Sequence, residues 1–407
     1  MRIIYFHQHF DTPQVGGAIR SYEFSKKLIK RGHHVIMVTG GAREKFNLPE
    51  TKNKNVYRGN IDGIDVIQIA LPYSNNDGLL KRASIFIKFA IKSIRFAMNE
   101  DYDIAYATTT PLTAGIPCIW AKWFRKKKYI FEVRDLWPEL PKALGMKNPL
   151  VLWGMSVLEK ISYRNACACV GLAPGICDGI ARKSQKNKEI ILIPNGCDLD
   201  LFSPGKREDL KIEGILPTDT IAVFTGAHGV ANGLSAVLDT ANVLIARGRT
   251  NIKFVFVGEG KQKSMLIERA KRENLTNCIF LDKMSKTELK NIICCADIGL
   301  QILANIPAFY YGTSPNKFFD YITAGRPVLN NYPGWLADMI RENECGVIVE
   351  PNNPNAFADG LVLLADNPEI REKYGNNARR LAENKYSRDI LASQFVDFVE
   401  KQYNKIN

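Results

Sequence analysis

What most constrains this chain is a unit that begins at its second residue: a short apolar run, a loop, an amphipathic helix and another apolar run. RIIYF (residues 2–6) is β-branched and aromatic, and a polar loop with Gly16 and Gly17 follows it. IRSYEFSKKLIKRG then reads as a helix stopping at Gly32, and HHVIMVTG as a buried strand. A strand-loop-helix-strand unit buries both faces of its strands only within a parallel sheet. The same grammar recurs in DIAYATT, KKYIFEVRD, ACACVGLAP and KEIILIPNG. It restarts at Thr220 with TIAVFT, a glycine-rich turn and the helix LSAVLDTANVLIARG, and continues through IKFVFVGEG, CIFLDK, DIGLQIL, RPVLNN and CGVIVEP. Between the two series lies SPGKREDLKIEGILPT (203–218), rich in Pro, Gly and mixed charge, which reads as a linker. No repeat of roughly 20 to 50 residues is present.

At 407 residues the chain exceeds the size at which one core keeps growing, so two doubly wound α/β domains are expected. The boundaries fall at 1–205 and 206–385, with a helical segment 386–407 that packs back on the first domain. Nine cysteines in no paired spacing argue against a zinc site or disulfide framework and for a reducing cytoplasm. Neither an export signal nor a membrane-spanning run is expected. The net charge of +13 calls for an anionic partner, and residues 81–128 hold ten Lys or Arg against three acids. Nucleic acid is disfavoured as a partner class, because no recognised module or aromatic stacking platform accompanies the charge. With neither G-x-G-x-x-G nor G-x-x-x-x-G-K-[ST] in the chain, a nicotinamide or flavin dehydrogenase and a P-loop NTPase are disfavoured.

Ligands of doubly wound sheets bind beyond the strands' carboxyl ends, so the residues just after the apolar runs are the candidates. Gly16 and Gly17 would let a phosphate approach the backbone, or form a simple turn. FTGAHGVANGLS, with Gly226, Gly229 and Gly233, reads as a diphosphate cradle before a helix N-terminus, with His228 as a donor to phosphate or sugar. SPNKFFDYITAG reads as a short helix capped by Ser314, with Pro315 first and Gly325 as its stop. Lys317 in its first turn opposes the helix dipole unless an anion binds there, and Asp320 shares its face and could meet a ribose. The alternative is a solvated Lys317–Asp320 ion pair. FEVRDLWPELPK places Glu132, Arg134, Asp135 and Glu139 at a strand end, as an acceptor or catalytic cluster or as internal salt bridges.

These residues sit in stretches that resemble glycosyltransferase family 4, the retaining transferases of GT-B fold, and particularly the bacterial O-antigen and capsule transferases of N-acetyl-fucosamine type. GGAIRSYEFSKKLIKRGHHVIMVT, FEVRDLWPE, IPNGCDLDLFSP, FTGAHGVANGL, VGEGK, SPNKFFDYITAGRPVL and GVIVEPNNP carry the likeness nearly end to end. The resemblance implies two Rossmann-like domains facing across a cleft that closes by hinge motion. It implies a UDP-sugar donor, no cofactor and no metal. Gly16 and Gly17 would lie near the donor diphosphate and acceptor, and Gly258, Gly260 and Lys261 of VGEGK would border the nucleotide. Backbone from Leu281 to Met284, including Asp282, would frame the base; Ser314, Asn316 and Lys317 would meet the donor, and Asp320 would hold the ribose in place of a Glu. The chain departs from the family's pattern in several places. The usual Arg and Lys of the phosphate clamp fall on Ala227 and Asn232, leaving Lys317, His228 or Arg134 to substitute. The first Glu of the family's Glu pair falls on Gly312, leaving its sugar contact to Thr313 or Asn316, and the family's common His is not evident, with Arg134 at the comparable strand end and YATTTPLT at the other.

The resemblance implies retention by front-face displacement, in which the leaving phosphate takes the acceptor's proton. The acceptor class it suggests is a saccharide on a polyprenyl diphosphate at the inner face of the cytoplasmic membrane. KRASIFIKFAIKSIRFAM fits a membrane contact: Lys81, Lys88, Lys92 and Arg95 form a stripe beside Ile85, Phe86, Phe89, Ile91, Ile94 and Phe96, with WAKWFRKKKY close in sequence. An ordinary packed helix is the alternative. The rival functions are a non-catalytic nucleotide-sugar-binding subunit and a GT-B UDP-sugar epimerase.

Overall fold

In a computed structural model, which describes residues 1–15, 19–74, 77–143, 145–205, 210 and 212–405, the alternating runs build two sheets. The first contains β1 (Arg2–Phe6), β2 (His34–Gly41), β3 (Val56–Ile61), β4 (Ile64–Ala70), β5 (Ile104–Thr108), β6 (Tyr129–Val133), β7 (Ala168–Gly171) and β8 (Glu189–Leu192), in the order β3-β4-β2-β1-β5-β6-β7-β8. Every pairing is parallel except β3 with β4. That hairpin is absent from the sequence reading, although Asp62-Gly63 between two β-branched runs signals it. Both turn residues have positive φ, 51° and 93°, as a two-residue hairpin turn requires.

The connecting helices are α1 (Arg20–Lys30), α2 (Leu79–Asn99), α3 (Ile116–Arg125), α4 (Glu139–Ala143), α5 (Pro149–Asn165) and α6 (Pro174–Lys183). Asn148 caps α5 by accepting from the Leu150 and Val151 N–H groups. Ile85, Phe89 and Phe96 of α2 are buried, so much of the apolar face assigned to a membrane is ordinary core, whereas Ile91 is exposed.

The second sheet holds β9 (Thr220–Thr225), β10 (Ile252–Val257), β11 (Cys278–Leu281), β12 (Ile298–Gln301), β13 (Val328–Asn330) and β14 (Gly346–Ile348), all parallel, in the order β11-β10-β9-β12-β13-β14. Its helices are α7 (Ser235–Ala246), α8 (Lys263–Arg272), α9 (Lys286–Cys295), α10 (Pro307–Tyr310), α11 (Asn316–Thr323), α12 (Trp335–Glu342), α13 (Pro354–Asp366) and α14 (Pro368–Leu381). The chain then closes with α15 (Arg388–Asn404). Strand order reverses between β9 and β12 here and between β1 and β5 in the first sheet, and a doubly wound sheet binds ligands at such switch points.

The first compact unit comprises Met1–Pro194, Gly312–Ser314 and Asp389–Asn407; the second comprises Asn195–Tyr311 and Pro315–Arg388. The first segment of the first unit ends at Pro194. Asn195–Phe202 belongs with the second unit because Phe202 is fully buried, Arg379 donates to its carbonyl, and Asp198 pairs with Arg388 at 2.5 Å. In the first unit's core, Phe395 of α15 stacks on Phe24 of α1 with centroids 4.1 Å apart, and Leu391, Val396 and Val399 are buried around it.

Candidate active site

α11 is built to stand against the second sheet. Phe318, Phe319, Tyr321 and Ile322 are buried, and a Cβ on Gly299 of β12 would come within 2.4 Å of the Tyr321 ring, so glycine there makes room for it. The Tyr321 hydroxyl accepts from the Thr225 N–H at 2.9 Å, tying the helix to the end of β9. The stop at Gly325 is a paired cap: Gly325, at φ 65°, donates to the Ile322 carbonyl and Arg326 donates to that of Tyr321. Its start differs from the expectation. Pro315, not Ser314, occupies the cap position, and no side-chain cap is formed among the described residues.

Lys317 lies in the first turn of α11, where the Phe318 N–H already donates to the Pro315 carbonyl at 3.2 Å. Its Nζ is 4.0 Å from the centre of the Phe224 ring and donates to Asn232 Oδ1 at 2.9 Å. No carboxylate among the described residues pairs with it. Burial lowers the ammonium's pKa to about 7. Asp320 does not face Lys317. It is buried, its Oδ1 accepts from Lys286 Nζ at 3.0 Å, and burial raises its pKa against the pull of Lys286 and Arg388. The i,i+3 ion pair is therefore not formed; each charge answers to a residue distant in sequence.

The glycine turns also have a packing role that the sequence reading did not give them. A Cβ on Gly258, whose φ is 148°, would lie 2.0 Å from the Gly226 carbonyl oxygen, and one on Gly260 would lie 2.4 Å from that of His228. These glycines let the loops after β9 and β10 pack backbone on backbone. Asn232, Gly233, Ala236 and Val237 donate to carbonyls at Gly229, Val230, Gly233 and Leu234, so of the cradle's glycines the Gly233 N–H is used within the turn. His228 is also corrected. Its ring is fully buried beside Phe224, Phe256 and Phe280, neither ring nitrogen has a hydrogen-bond partner among the described residues, and burial brings its pKa to about 4. A neutral, enclosed imidazole is not a surface donor. Lys261 and Asn316 are exposed. Asp282 is exposed too, but its carboxylate pairs at 2.7 Å with Lys263, which also reaches Glu259 at 2.6 Å and so joins the loops after β10 and β11. Gly16 and Gly17 lie outside the described residues.

In the first unit Glu132 is structural rather than catalytic. Its fully buried carboxylate accepts from Arg20 Nη2 at 2.9 Å, Arg20 Nε at 3.1 Å, Tyr106 at 3.0 Å and Thr108 at 2.7 Å. Burial alone would raise its pKa, but Arg20 and the other donors hold it below the usual carboxylate value. Glu139 likewise pairs with Lys183. Arg134 and Asp135 remain at the switch point. Asp135 accepts from the Thr110 hydroxyl at 3.2 Å, and its pKa is raised by burial. Arg134 Nη1 lies 3.4 Å from His7 Nε2, which must be the acceptor because a guanidinium cannot be one. Burial and Arg134 keep His7 neutral.

The sequence reading passed over His7, together with Lys263 and Lys286. It also missed an open cleft of about 570 Å³ at the ends of β1, β2 and β4, lined by Gln8, His9, Lys45 and Tyr73 among others. One apolar run followed by the polar HQH was the available signal for His7 and His9.

The family model described as "Glycosyl transferase 4-like domain" matches residues 15–196, and "Glycosyl transferases group 1" matches residues 205–381. Between them they account for both units. The chain is a GT4-type glycosyltransferase of GT-B fold. An uncharacterized glycosyltransferase of Methanocaldococcus jannaschii is 23% identical over 94% of each chain. N-acetylgalactosamine-N,N'-diacetylbacillosaminyl-diphospho-undecaprenol 4-alpha-N-acetylgalactosaminyltransferase of Campylobacter jejuni is 21% identical over 62% of this chain and 66% of that one. Among solved structures, Anabaena HepE in complex with UDP-glucose superposes with a TM-score of 0.71 at 15% identity, over 98% of this GT4-type chain and all of the other, 100%. The narrower likeness to N-acetyl-fucosamine transferases has no counterpart in these matches.

Proposed function

We propose that this glycosyltransferase moves a sugar, an N-acetylated hexosamine or deoxyhexosamine, from a UDP-sugar to a saccharide on a polyprenyl diphosphate, with retention and without a metal ion. The observation that carries the reading is Lys317: an ammonium with no carboxylate partner among the described residues, at a helix start, beside the switch point of the second sheet. Such a cation is electrostatically incomplete until an anion arrives. A diphosphate supplies that anion, and the UDP-glucose held by HepE supports uridine as its nucleoside. The diphospho-undecaprenol named for the Campylobacter relative supports the lipid-linked acceptor and, with it, a place at the inner face of the cytoplasmic membrane.

In this reading the Lys317 ammonium and the leading N–H groups of Asn316 and Lys317 stabilise charge as it develops on the leaving diphosphate. The acceptor oxygen bonds to the anomeric carbon as the bond to the β-phosphate breaks, and its proton passes to a phosphate oxygen. Asp320 holds the ribose once Lys286 shares it. Arg134 and Asp135 orient the acceptor, whose saccharide occupies the cleft beside His9 and Tyr73.

A screen of UDP-sugars for UDP release, with a polyprenyl-diphosphate saccharide as acceptor, tests the reading. Native protein should turn over at least one pair, and Lys317→Ala and Asp320→Ala should each lose about 100-fold or more. Donor binding without release would instead indicate a silent subunit. A UDP-sugar isomer formed without acceptor would indicate an epimerase.

A further inference from the structure

We propose that the outer face of the helix layer α2, α3 and α5 is a docking surface for an anionic lipid bilayer, with the aromatic end of α3 as the part that enters it. This deepens the membrane-acceptor reading and rests on it only for which way the enzyme faces.

Side chains that usually lie inside are outside here. Ile87 and Ile91 on α2, Trp120, Trp123 and Phe124 on α3, and Trp153 on α5 are all more than two-fifths exposed, and Phe124 and Trp153 reach 62% and 68%. They are neighbours, since α3 packs against α2 on one side and α5 on the other. Trp120 and Phe124 lie with ring centroids 5.0 Å apart, and Trp123 Nε1 donates to Asn165 Oδ1 at the end of α5. A cluster of protruding aromatics is not the scattered apolar exposure of an ordinary surface.

Charge decides the occupant. α2 and α3 contain no Asp or Glu at all. The one acid of α5, Glu159, is fully buried against Lys183 and Tyr163. The same three helices carry nine Lys or Arg, among them exposed Lys88, Lys92, Arg95 and Lys160. The α1 and α15 side differs: there Lys27 and Arg31 are matched by Asp389, Asp397 and Glu400. An apolar surface with cations and no exposed carboxylate fits an anionic headgroup layer, where tryptophan and phenylalanine sit at the boundary and lysines meet phosphates. No helix among the described residues is long and apolar enough to cross a membrane, so the contact is one of surface docking.

The α2 expectation is thereby redrawn. Ile85, Phe89 and Phe96 belong to the core, and the exposed Ile87 and Ile91 lie among the lysines rather than opposite them.

The test is flotation of full-length protein with acceptor-free vesicles, either phosphatidylglycerol with phosphatidylethanolamine or phosphatidylcholine alone, followed by tryptophan quenching with lipids brominated on their acyl chains. Binding to the anionic vesicles should weaken as salt rises. Lys88→Glu/Lys92→Glu and Trp123→Ser/Phe124→Ser should each reduce it about tenfold or more while leaving thermal unfolding and UDP affinity unchanged. Equal binding to both vesicle types, absence of quenching, or self-association that covers these tryptophans in place of lipid would overturn the proposal. Because the vesicles contain neither donor nor acceptor, failure here leaves the transferase reading standing, and failure of transfer leaves this one standing.

Discussion

Lys317 and Asn232 are joined by a hydrogen bond of 2.9 Å from Nζ to Oδ1, and Asn232 in turn donates through Nδ2 to the Ala227 carbonyl at 2.7 Å. Only one orientation of the amide satisfies both contacts, so Asn232 aims an acceptor at the lysine. Asn232, at which the resemblance implies a clamp lysine, thus positions a lysine brought in from α11. Asn232→Ala should weaken UDP binding about three- to tenfold, the worth of one hydrogen bond. Asn232→Asp should weaken it more, because a carboxylate there would compete with the diphosphate for the ammonium. Calorimetric titration with UDP checks both, and tighter binding by Asn232→Asp would contradict the assignment.

The pKa of Lys317, about 7, gives nucleotide binding a pH signature. A bound diphosphate favours the charged form, so binding at pH 8 should take up close to one proton, and at pH 6 much less. Heats of UDP binding in two buffers of different ionisation enthalpy give that count. Stability should respond in step. The folded value lies below the ordinary lysine value of 10.5, so between about pH 7 and 10.5 the unfolded chain binds more protons and stability rises with pH. Lys317→Met should remove that rise.

Glu132 and Arg20 form a buried pair that anchors α1 to β6, and Arg20 also donates to the Ile193 carbonyl at 2.7 Å. Glu132→Gln should lower stability by about 3–5 kcal/mol, since it strands a buried guanidinium. The native carboxylate's pKa is depressed, so its stabilisation is present above the ordinary Glu value and lost as pH falls through the folded one. Denaturant melts of the native protein and Glu132→Gln at pH 7 and pH 4 should therefore differ less at the lower pH.

Gly258→Ala should destabilise the second unit by a few kcal/mol, roughly 1–3 from its strained φ alone, with the clash against Gly226 added. A thermal melt near the native one would show that the two loops can separate without loss.

The six strands of the second unit were legible because each is a short apolar run closed by turn residues, as in TIAVFT before Gly226. The β3–β4 hairpin was legible too, through Asp62-Gly63, but the parallel-sheet grammar masked it. Partner choice was not legible. That Asp320 would answer to Lys286 and Glu132 to Arg20 depends on which helix crosses which strand end, and local spacing holds no record of that. Lys317 stood out for the opposite reason: a cation in a helix's first turn is a local conflict, and local conflicts can be read locally.

The most direct test of the account compares UDP with uridine on native protein and Lys317→Met, by the same titration. The account predicts that the native protein prefers UDP, and that Lys317→Met loses about ten- to a hundredfold of that preference while still binding uridine as the native protein does. A Lys317→Met protein that keeps the full preference for UDP would contradict it.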